Sequence, residues 1–275
     1  MPARPGPWTS LLRPRTVPPR RRLVVFPHAA SGPNAFLPLL APLHADCELV
    51  GVTLPGRERR FGEEPVVGLD EVVDGIVTEL ADRAAQDGPR AVRTVFHGHS
   101  LGALLALAAA GARPDLCTAL VVSAAPPGGD PHAVPHALDH AEGRRALLES
   151  QGVPQEVLDD PGLLDHADRL LAADLRLTRA AAAATGDVLL SVPVTALAGD
   201  RDRLVDAPAV AGWARHTTGP FRHHAVDGDH WFPFTARHQA TVRQELAAAL
   251  AQPSPHPSPD DRRSTTGPAP MRAAR

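Results

Sequence analysis

Short apolar segments alternate with helix-like segments along most of this 275-residue chain, and this alternation restricts the fold more than any other feature. Strand-like runs are predicted at 23–26, 48–54, 93–96, 119–123, 192–197 and 221–226. Helical patterns are predicted over 34–43, 69–86, 101–112, 207–216 and 233–251. Several strand-like runs are apolar throughout, which is typical of strands covered on both faces. The pattern therefore predicts an α/β fold with a mostly parallel central sheet and helices on both faces.

One region interrupts the alternation, from about residue 126 to residue 187. It contains no convincing strand, but it has short amphipathic pieces at 144–150, 154–158 and 163–177. This stretch is too long for a plain connection. We expect a helical insertion that forms a lid over the carboxyl ends of the strands, in preference to a helical excursion packed on the side of the sheet.

Both ends of the chain predict disorder. Residues 1–22 combine proline with arginine, and residues 252–275 combine proline, serine, aspartate and arginine, without a hydrophobic period in either segment. We therefore expect one folded domain over residues 23–251, between a disordered N-terminal arm and a disordered C-terminal tail.

The composition argues against several classes of function. The net charge is −3 and charges of both signs are mixed, so neither a nucleic-acid nor a membrane partner is expected. No apolar run approaches the ~20 residues needed to cross a bilayer, and the proline-broken start does not look like a signal peptide. Cys47 and Cys117 lie in apolar segments and are expected to be buried thiols. We expect a cytoplasmic monomer without a metal or cofactor.

A serine motif is the strongest chemical signal in the chain. It reads Gly98-His99-Ser100-Leu101-Gly102, between a strand-like run and a helix-like run. In this context a G-x-S-x-G pattern is typical of a strained turn that exposes a serine as a nucleophile. Glycine at both ends leaves room for the strand and the helix to approach closely. The motif predicts Ser100 as the nucleophile of a hydrolase.

A serine nucleophile of this kind needs an acid and then a histidine, each on a loop after a later strand. The run at 192–197 leads into two aspartates. We predict Asp202 as the acid, because Asp200 lies in the turn itself and is better placed to cap local amides. The run at 221–226 leads into His230, which we predict as the general base.

The other histidines near these motifs fit the role of base less well, because the base must approach the serine from another loop. Two lie inside the last strand-like run and two flank the serine on its own turn; they are His223, His224, His97 and His99.

Two backbone amides are expected to form an oxyanion hole. One is the amide of Leu101, the residue after the nucleophile. The second should come from the loop after the first strand, residues 27–32. In that loop we favour the amide of Ala29, with His28 as the alternative.

Four segments together resemble the type II thioesterases that accompany modular peptide and polyketide synthases, within the α/β-hydrolase superfamily. They are VVFPHAASGPNAF, VTLPGRERRF, FHGHSLGALLA and the pair GDRD with DGDHWF, spread over residues 23–235. The resemblance implies an α/β-hydrolase fold with a helical lid. It also places Ser100, Asp202 and His230 on the positions of the catalytic triad, and Leu101 and Ala29 on those of the oxyanion amides.

The first loop departs from the family pattern. Members of the family usually read F-P-Y-A-G-G there, with an aromatic residue and two glycines. This chain has His28 in place of the aromatic residue, and Ala30 and Ser31 in place of the glycines.

The function implied by the resemblance is removal of acyl groups from the phosphopantetheine arm of carrier proteins, through an acyl-enzyme on the serine. The expected partners are acyl or peptidyl carrier domains of a synthase. Two alternatives stay open from the sequence. A small-molecule esterase or an acyltransferase would use the same triad, and a non-catalytic α/β-hydrolase would use the fold for ligand binding only.

Overall fold

A seven-stranded sheet forms the centre of the structure, a computed structural model that describes residues 6–14, 16–43, 45–88, 92–129 and 134–252. The order of the strands is β1-β3-β2-β4-β5-β6-β7. All neighbouring strands are parallel except β1, which pairs antiparallel to β3. The strands are β1 (Thr9–Leu11), β2 (Arg21–Phe26), β3 (Cys47–Val52), β4 (Arg93–His99), β5 (Ala119–Ser123), β6 (Val194–Gly199) and β7 (Phe221–Val226).

Helices cover both faces of this sheet. They are α1 (Leu37–Leu40), α2 (Leu69–Gln86), α3 (Leu101–Ala112), α4 (Ala141–Ser150), α5 (Gln155–Asp159), α6 (Pro161–Ala184), α7 (Ala207–Val210) and α8 (Ala236–Ala251). Successive residues of β2 alternate between the two cores, because side chains along a strand point to opposite faces. Val24 and Phe26 pack on the side of α2 and α3, whereas Leu23 and Val25 pack on the side of α1 and α8. The predicted α/β architecture is confirmed.

The three helices α4, α5 and α6 fill the region between β5 and β6 where the alternation breaks. The amphipathic pieces predicted at 144–150, 154–158 and 163–177 each fall on one of these helices, and α6 extends further in both directions. Asp160 caps α6, since its carboxylate accepts hydrogen bonds from the amides of Gly162 and Leu163 at 2.8 and 2.9 Å.

The segment predicted as a disordered N-terminal arm contains a strand, so that part of the prediction is wrong. Thr9 pairs with Val52 of β3. The carboxylate of Glu79, on α2, accepts hydrogen bonds from the amides of Trp8 and Thr9 at 2.8 and 2.7 Å. These contacts join residues 43 to 71 positions apart, which a local hydrophobic period does not reveal. Residues 1–5 and residues 253–275, most of the predicted tail, lie outside the described residues.

Two segments predicted as single helices each consist of a short α-helix and a 3₁₀ turn. The segment predicted at 34–43 is a 3₁₀ turn, Pro33–Phe36, followed by the short helix α1. The segment predicted at 207–216 is α7 followed by a 3₁₀ turn, Ala211–His216. None of the helices among the described residues is long and apolar enough to cross a membrane.

The strand order creates a crevice at the carboxyl ends of the central strands β2 and β4. From β2 the chain goes to β3 on one side, and later to β4 on the other side. The loops that leave β2 and β4 therefore diverge at the carboxyl end of the sheet, which is where open α/β sheets bind ligands. The predicted nucleophile follows β4, and the predicted oxyanion loop follows β2.

Candidate active site

Ser100 stands on a strained turn between β4 and α3. Its backbone angles are φ 54° and ψ −121°, in a region that residues with a side chain seldom adopt. Its amide donates to the carbonyl of Ser123 on β5 at 2.9 Å. The turn is thus anchored to the sheet, and the serine is presented at the start of a helix.

The two glycines of the motif allow α3 to start directly against the sheet. A Cβ atom on Gly102 would lie 1.8 Å from the carbonyl oxygen of Phe26, at the end of β2. A Cβ atom on Gly98 would lie 2.2 Å from the carbonyl oxygen of Gly102. Since real Cβ contacts are never so short, any larger residue would push the helix away from β2 and displace the serine.

Asp202 and His230 form a buried pair at the ends of β6 and β7. Nδ1 of His230 lies 2.7 Å from a carboxylate oxygen of Asp202. The other carboxylate oxygen accepts from the amides of Leu204 and Val205 at 2.8 and 3.0 Å. The carboxylate is therefore fixed by its own loop. It holds the imidazole through Nδ1, so Nε2 is left free to accept or donate a proton. His230 and Ser100 line the same cavity.

Asp200 has a different place. Its carboxylate accepts a hydrogen bond from the amide of Gly228 at 3.0 Å, so it ties the end of β6 to the loop that carries His230. The structure thus brings Asp202, and not Asp200, to the histidine.

The histidines beside the serine are buried and neutral. His97 and His99 belong to β4, which runs three residues beyond its predicted end. Nδ1 of His97 bonds to the carbonyl of Val121 at 3.1 Å, and Nδ1 of His99 to the hydroxyl of Ser123 at 2.9 Å. Burial lowers the pKa of His97 to about 4 and that of His99 well below its usual value.

His28 lies in the loop after β2, where it is packed among rings. Its centroid is 5.1 Å from that of Trp231 and 5.4 Å from that of His99. Burial is the main cause that lowers the pKa of His28 to about 3, and the charge of His230 is the second. A neutral imidazole therefore occupies the position of the family's aromatic residue.

Of the two predicted oxyanion donors, one follows Ser100 directly and the other lines the same cavity as Ser100. Leu101 begins α3, and Ala29 lines the cavity beside Ser100. Within the described part of the chain, no hydrogen bond uses the amide of either residue. Both amides are thus unoccupied, as donors to a developing oxyanion must be.

The loop of Ala29 is held in place by residues that the sequence reasoning did not assign to the site. The side-chain amide of Gln151, just after α4, donates to the carbonyl of Ala29 at 3.2 Å. The carboxylate of Asp174, on α6, accepts from the amide of Ala30 at 2.7 Å. Asp174 was detectable, because it is an acidic residue within the apolar face of a long amphipathic helix.

The Leu-Pro-Gly-Arg-Glu segment, residues 54–58, contacts the same loop. Arg57 forms a two-pronged ion pair with Asp174, at 2.7 and 2.8 Å, and donates to the carbonyl of Ser31 at 3.1 Å. The carboxylate of Glu58 accepts from the amide of Asn34 at 3.0 Å. The contacts of this segment are therefore with the predicted oxyanion loop and the residues after it.

The cavity above Ser100 is small and apolar. Its volume is about 50 Å³, and it is lined by Trp231 and by leucines from α3, from α4 and α6, and from the 3₁₀ turn before α4. Those leucines are Leu104, Leu138, Leu147 and Leu175. Among the described residues that line it, none carries a carboxylate, a guanidinium or an ammonium group. The inserted helices thus cover the site, and the cavity suits an uncharged hydrocarbon group.

A wider groove of about 860 Å³ leads from His230 to the surface. It runs between α4 and the loop after β6, and it is lined by Leu147, Trp231 and Arg203, among others. The site is thus open on one side, along a path that ends at the histidine. Within the described ranges, no cluster of three or more His, Cys, Asp or Glu side chains is arranged to hold a metal ion.

Comparisons with known proteins identify a matching family model and similar sequences. Residues 21–249 match the family model of the thioesterase domain. Thioesterase PikA5 of Streptomyces venezuelae is 33% identical over 222 residues, which are 77% of this chain and 75% of that protein.

Two solved structures are similar in fold. The type II thioesterase BorB, from the borrelidin biosynthetic cluster, has a TM-score of 0.71 and 28% identity, with 90% of this chain and 99% of that one covered. YbtT, the type II thioesterase from the yersiniabactin NRPS/PKS pathway, has a TM-score of 0.68 and 26% identity, with 89% and 100% covered.

Proposed function

Because the chain belongs to the family of thioesterase domains, we propose that it hydrolyses thioesters between acyl groups and the phosphopantetheine arm of carrier proteins. One observation carries the proposal. A strained serine lines an apolar cavity together with a histidine that is hydrogen-bonded to a buried aspartate, and the same histidine lines a wider groove. Editing of stalled or mis-primed synthases, of the peptide or polyketide type, is the role we propose, since BorB and YbtT are type II thioesterases of such pathways.

The reaction begins with attack of the hydroxyl of Ser100 on the thioester carbonyl. Nε2 of His230 takes the proton of the hydroxyl, and Asp202 stabilises the imidazolium that results. The amides of Leu101 and Ala29 donate to the oxyanion of the tetrahedral intermediate. Collapse of the intermediate breaks the C–S bond, and His230 returns its proton to the departing thiolate. The product of this half-reaction is an acyl-serine with a free phosphopantetheine thiol.

Water completes the cycle. His230 removes a proton from water as it attacks the acyl-serine, and then protonates the oxygen of Ser100 as the ester bond breaks. The free acid leaves, and the serine hydroxyl is restored. A thiolate is a better leaving group than an amine, so the first half-reaction makes a modest demand on general-acid catalysis.

The division of space at the site supports a carrier-bound substrate. The small apolar cavity suits the acyl group, while the groove of about 860 Å³ gives an extended polar arm a path from the surface to the histidine. A small-molecule esterase does not require such a groove.

The first test measures release of thiol from an acylated carrier protein. We expect the unmodified protein to release thiol and the Ser100→Ala variant to lose turnover by on the order of 10⁴-fold, since loss of one member disables the set. Mass spectrometry of the quenched protein should find the acyl group on Ser100. Equal thiol release by both proteins would overturn the proposal, and transfer of the acyl group to an added alcohol or amine in place of water would indicate an acyltransferase.

The choice of acid is tested in the same assay. Asp202→Asn should lower kcat by on the order of 10⁴-fold, because the asparagine stabilises the wrong tautomer of His230. Asp200→Asn is the matched control. It keeps an oxygen that can accept from Gly228, so it should have a much smaller effect; a larger loss than for Asp202→Asn would reverse the assignment.

A further inference from the structure

Arg57 and Asp174 form an ion pair that is almost fully buried. The side chains are 5% and 2% exposed. Taking two charges out of water is costly, and an apolar pair of similar volume often gives an equally stable fold. The pair is therefore poorly explained by stability alone, and its other contacts show what it does.

Apart from a hydrogen bond from Arg57 to the carbonyl of Pro55 at 3.3 Å, those contacts are made with the loop after β2. One oxygen of Asp174 accepts both from Arg57 at 2.7 Å and from the amide of Ala30 at 2.7 Å. Arg57 also donates to the carbonyl of Ser31 at 3.1 Å. The pair thus grips two successive residues directly after Ala29.

Ala30 needs this support because of its backbone conformation. Its φ is 59°, in the left-handed region where a Cβ atom is strained and glycine is favoured. Such a conformation persists only where the surroundings fix it. The chain has alanine at this position, so the loop needs an external acceptor to hold the conformation.

We infer that the Arg57–Asp174 pair is a positioning element for the oxyanion hole. It acts through Ala30, whose amide it binds, so that the preceding residue, Ala29, keeps its own amide directed at the cavity beside Ser100. Asp174 belongs to α6 of the insertion. The same hydrogen bond therefore couples the position of α6 on the sheet to the position of the oxyanion amide. This inference rests on the proposed hydrolytic function.

A kinetic experiment separates positioning from substrate binding. The assay uses butyryl-N-acetylcysteamine, a small thioester that needs no carrier protein. We expect Asp174→Asn and Arg57→Lys to lower kcat by about 10- to 100-fold with little change in KM, somewhat less than loss of an oxyanion donor itself. Circular dichroism and the unfolding midpoint show whether each variant is folded at the assay temperature.

A transition-state analogue gives a second, independent reading. The oxygen of Ser100 attacks the carbonyl carbon of an alkyl trifluoromethyl ketone, and the resulting hemiketal oxyanion occupies the oxyanion hole. Its Ki should rise by the same factor by which kcat/KM falls, whereas the Ki of the corresponding alcohol should not change. A merely structural role would move both constants together.

Two further variants complete the test. Asp168→Asn breaks another ion pair between inserted helices, that of Arg144 with Asp168 at 2.7 Å, and should leave kcat nearly unchanged. Ala30→Gly removes the strain at φ 59°. When it is combined with Asp174→Asn in one protein, it should restore part of the kcat that Asp174→Asn alone loses.

The outcomes distinguish this inference from the proposed function. If the unmodified protein hydrolyses the thioester and folded Asp174→Asn keeps its kcat, or if the ketone and the alcohol weaken equally, the positioning role is wrong while the proposed function stands. If the unmodified protein hydrolyses neither this thioester nor an acylated carrier, the proposed function itself fails.

Discussion

At the scale of single residues, three buried neutral histidines pack around the site. His28, His97 and His99 are each buried, and burial is the largest cause that lowers each pKa. In the unfolded chain these rings take up protons near pH 6.5. The folded state binds fewer protons than the unfolded state below that pH, so the stability from keeping these rings neutral is complete above about pH 6.5 and is lost as the pH falls.

Because the unfolded chain binds more protons than the folded one, the unfolding free energy should fall as the pH falls, and His28→Phe should reduce that fall. His28 keeps its neutral form down to about pH 3. Each such histidine should contribute about 1.4 kcal/mol per pH unit to the fall in unfolding free energy between about pH 6 and pH 4. His28→Phe, which suits the surrounding rings, should reduce the slope by about that amount. Urea unfolding across this range measures it, with exposed His223→Phe as the control; an unchanged slope for His28→Phe would contradict the prediction.

At the scale of elements, the inserted helices both cover the site and bind to its two sides. At the end of α4, Gln151 contacts Ala29 on the oxyanion loop. The neighbouring Ser150 accepts a hydrogen bond from the indole of Trp231, next to the histidine, at 3.2 Å. The same helix supplies Leu147 to the wall of the cavity. The position of α4 therefore decides how much room an acyl chain has.

The cavity wall can be tested with two leucines that are neighbours on α4. Leu147→Ala should enlarge the cavity and raise kcat/KM for octanoyl over acetyl carrier by about 10-fold or more, since each added methylene in an apolar pocket is worth ~1–3 kcal/mol. Leu148 is buried but lines neither the cavity nor the groove. Leu148→Ala should therefore cost about 2–5 kcal/mol of stability without a change in that ratio. An equal shift in both variants would mean that general loosening of the helix, and not the wall, sets the preference.

At the scale of the whole molecule, the arrangement of charge at the mouth of the groove bears on the partner. Arg201 lines the groove but is paired with Asp227. Arg203 also lines it and is exposed. A cationic side chain at this place suits the phosphate of a phosphopantetheine arm or the acidic surface of a carrier.

Reversal of this charge should therefore affect carrier substrates selectively. We expect Arg203→Glu to raise KM for an acylated carrier protein by about 10-fold, with kcat for butyryl-N-acetylcysteamine unchanged. Arg20→Glu is the matched control, since Arg20 is exposed and precedes β2 at the opposite end of the sheet. Steady-state kinetics with both substrates at several salt concentrations make the comparison. An equal effect of Arg203→Glu on the two substrates would argue against a contact with the carrier or its arm.

Local sequence patterns are sufficient to predict the fold class, the family and the motif that carries Ser100. Strand and helix periods are local, so β5, β7, α2 and α3 begin and end where the pattern predicts. The resemblance to type II thioesterases is confirmed by the family match and by the similarity to BorB. The placement of Ser100 was equally local, since its turn depends on two glycines within five residues.

Other contacts around the site were not predicted from the sequence. The hydrogen bond between Asp174 and Ala30 and the one between Glu79 and the first strand each join residues distant in sequence. Burial made the neighbouring histidines neutral, although nothing in their local sequence distinguishes them from exposed ones. These features depend on which surfaces meet when helices pack on the sheet, and such encounters are fixed by the whole fold and not by any single segment.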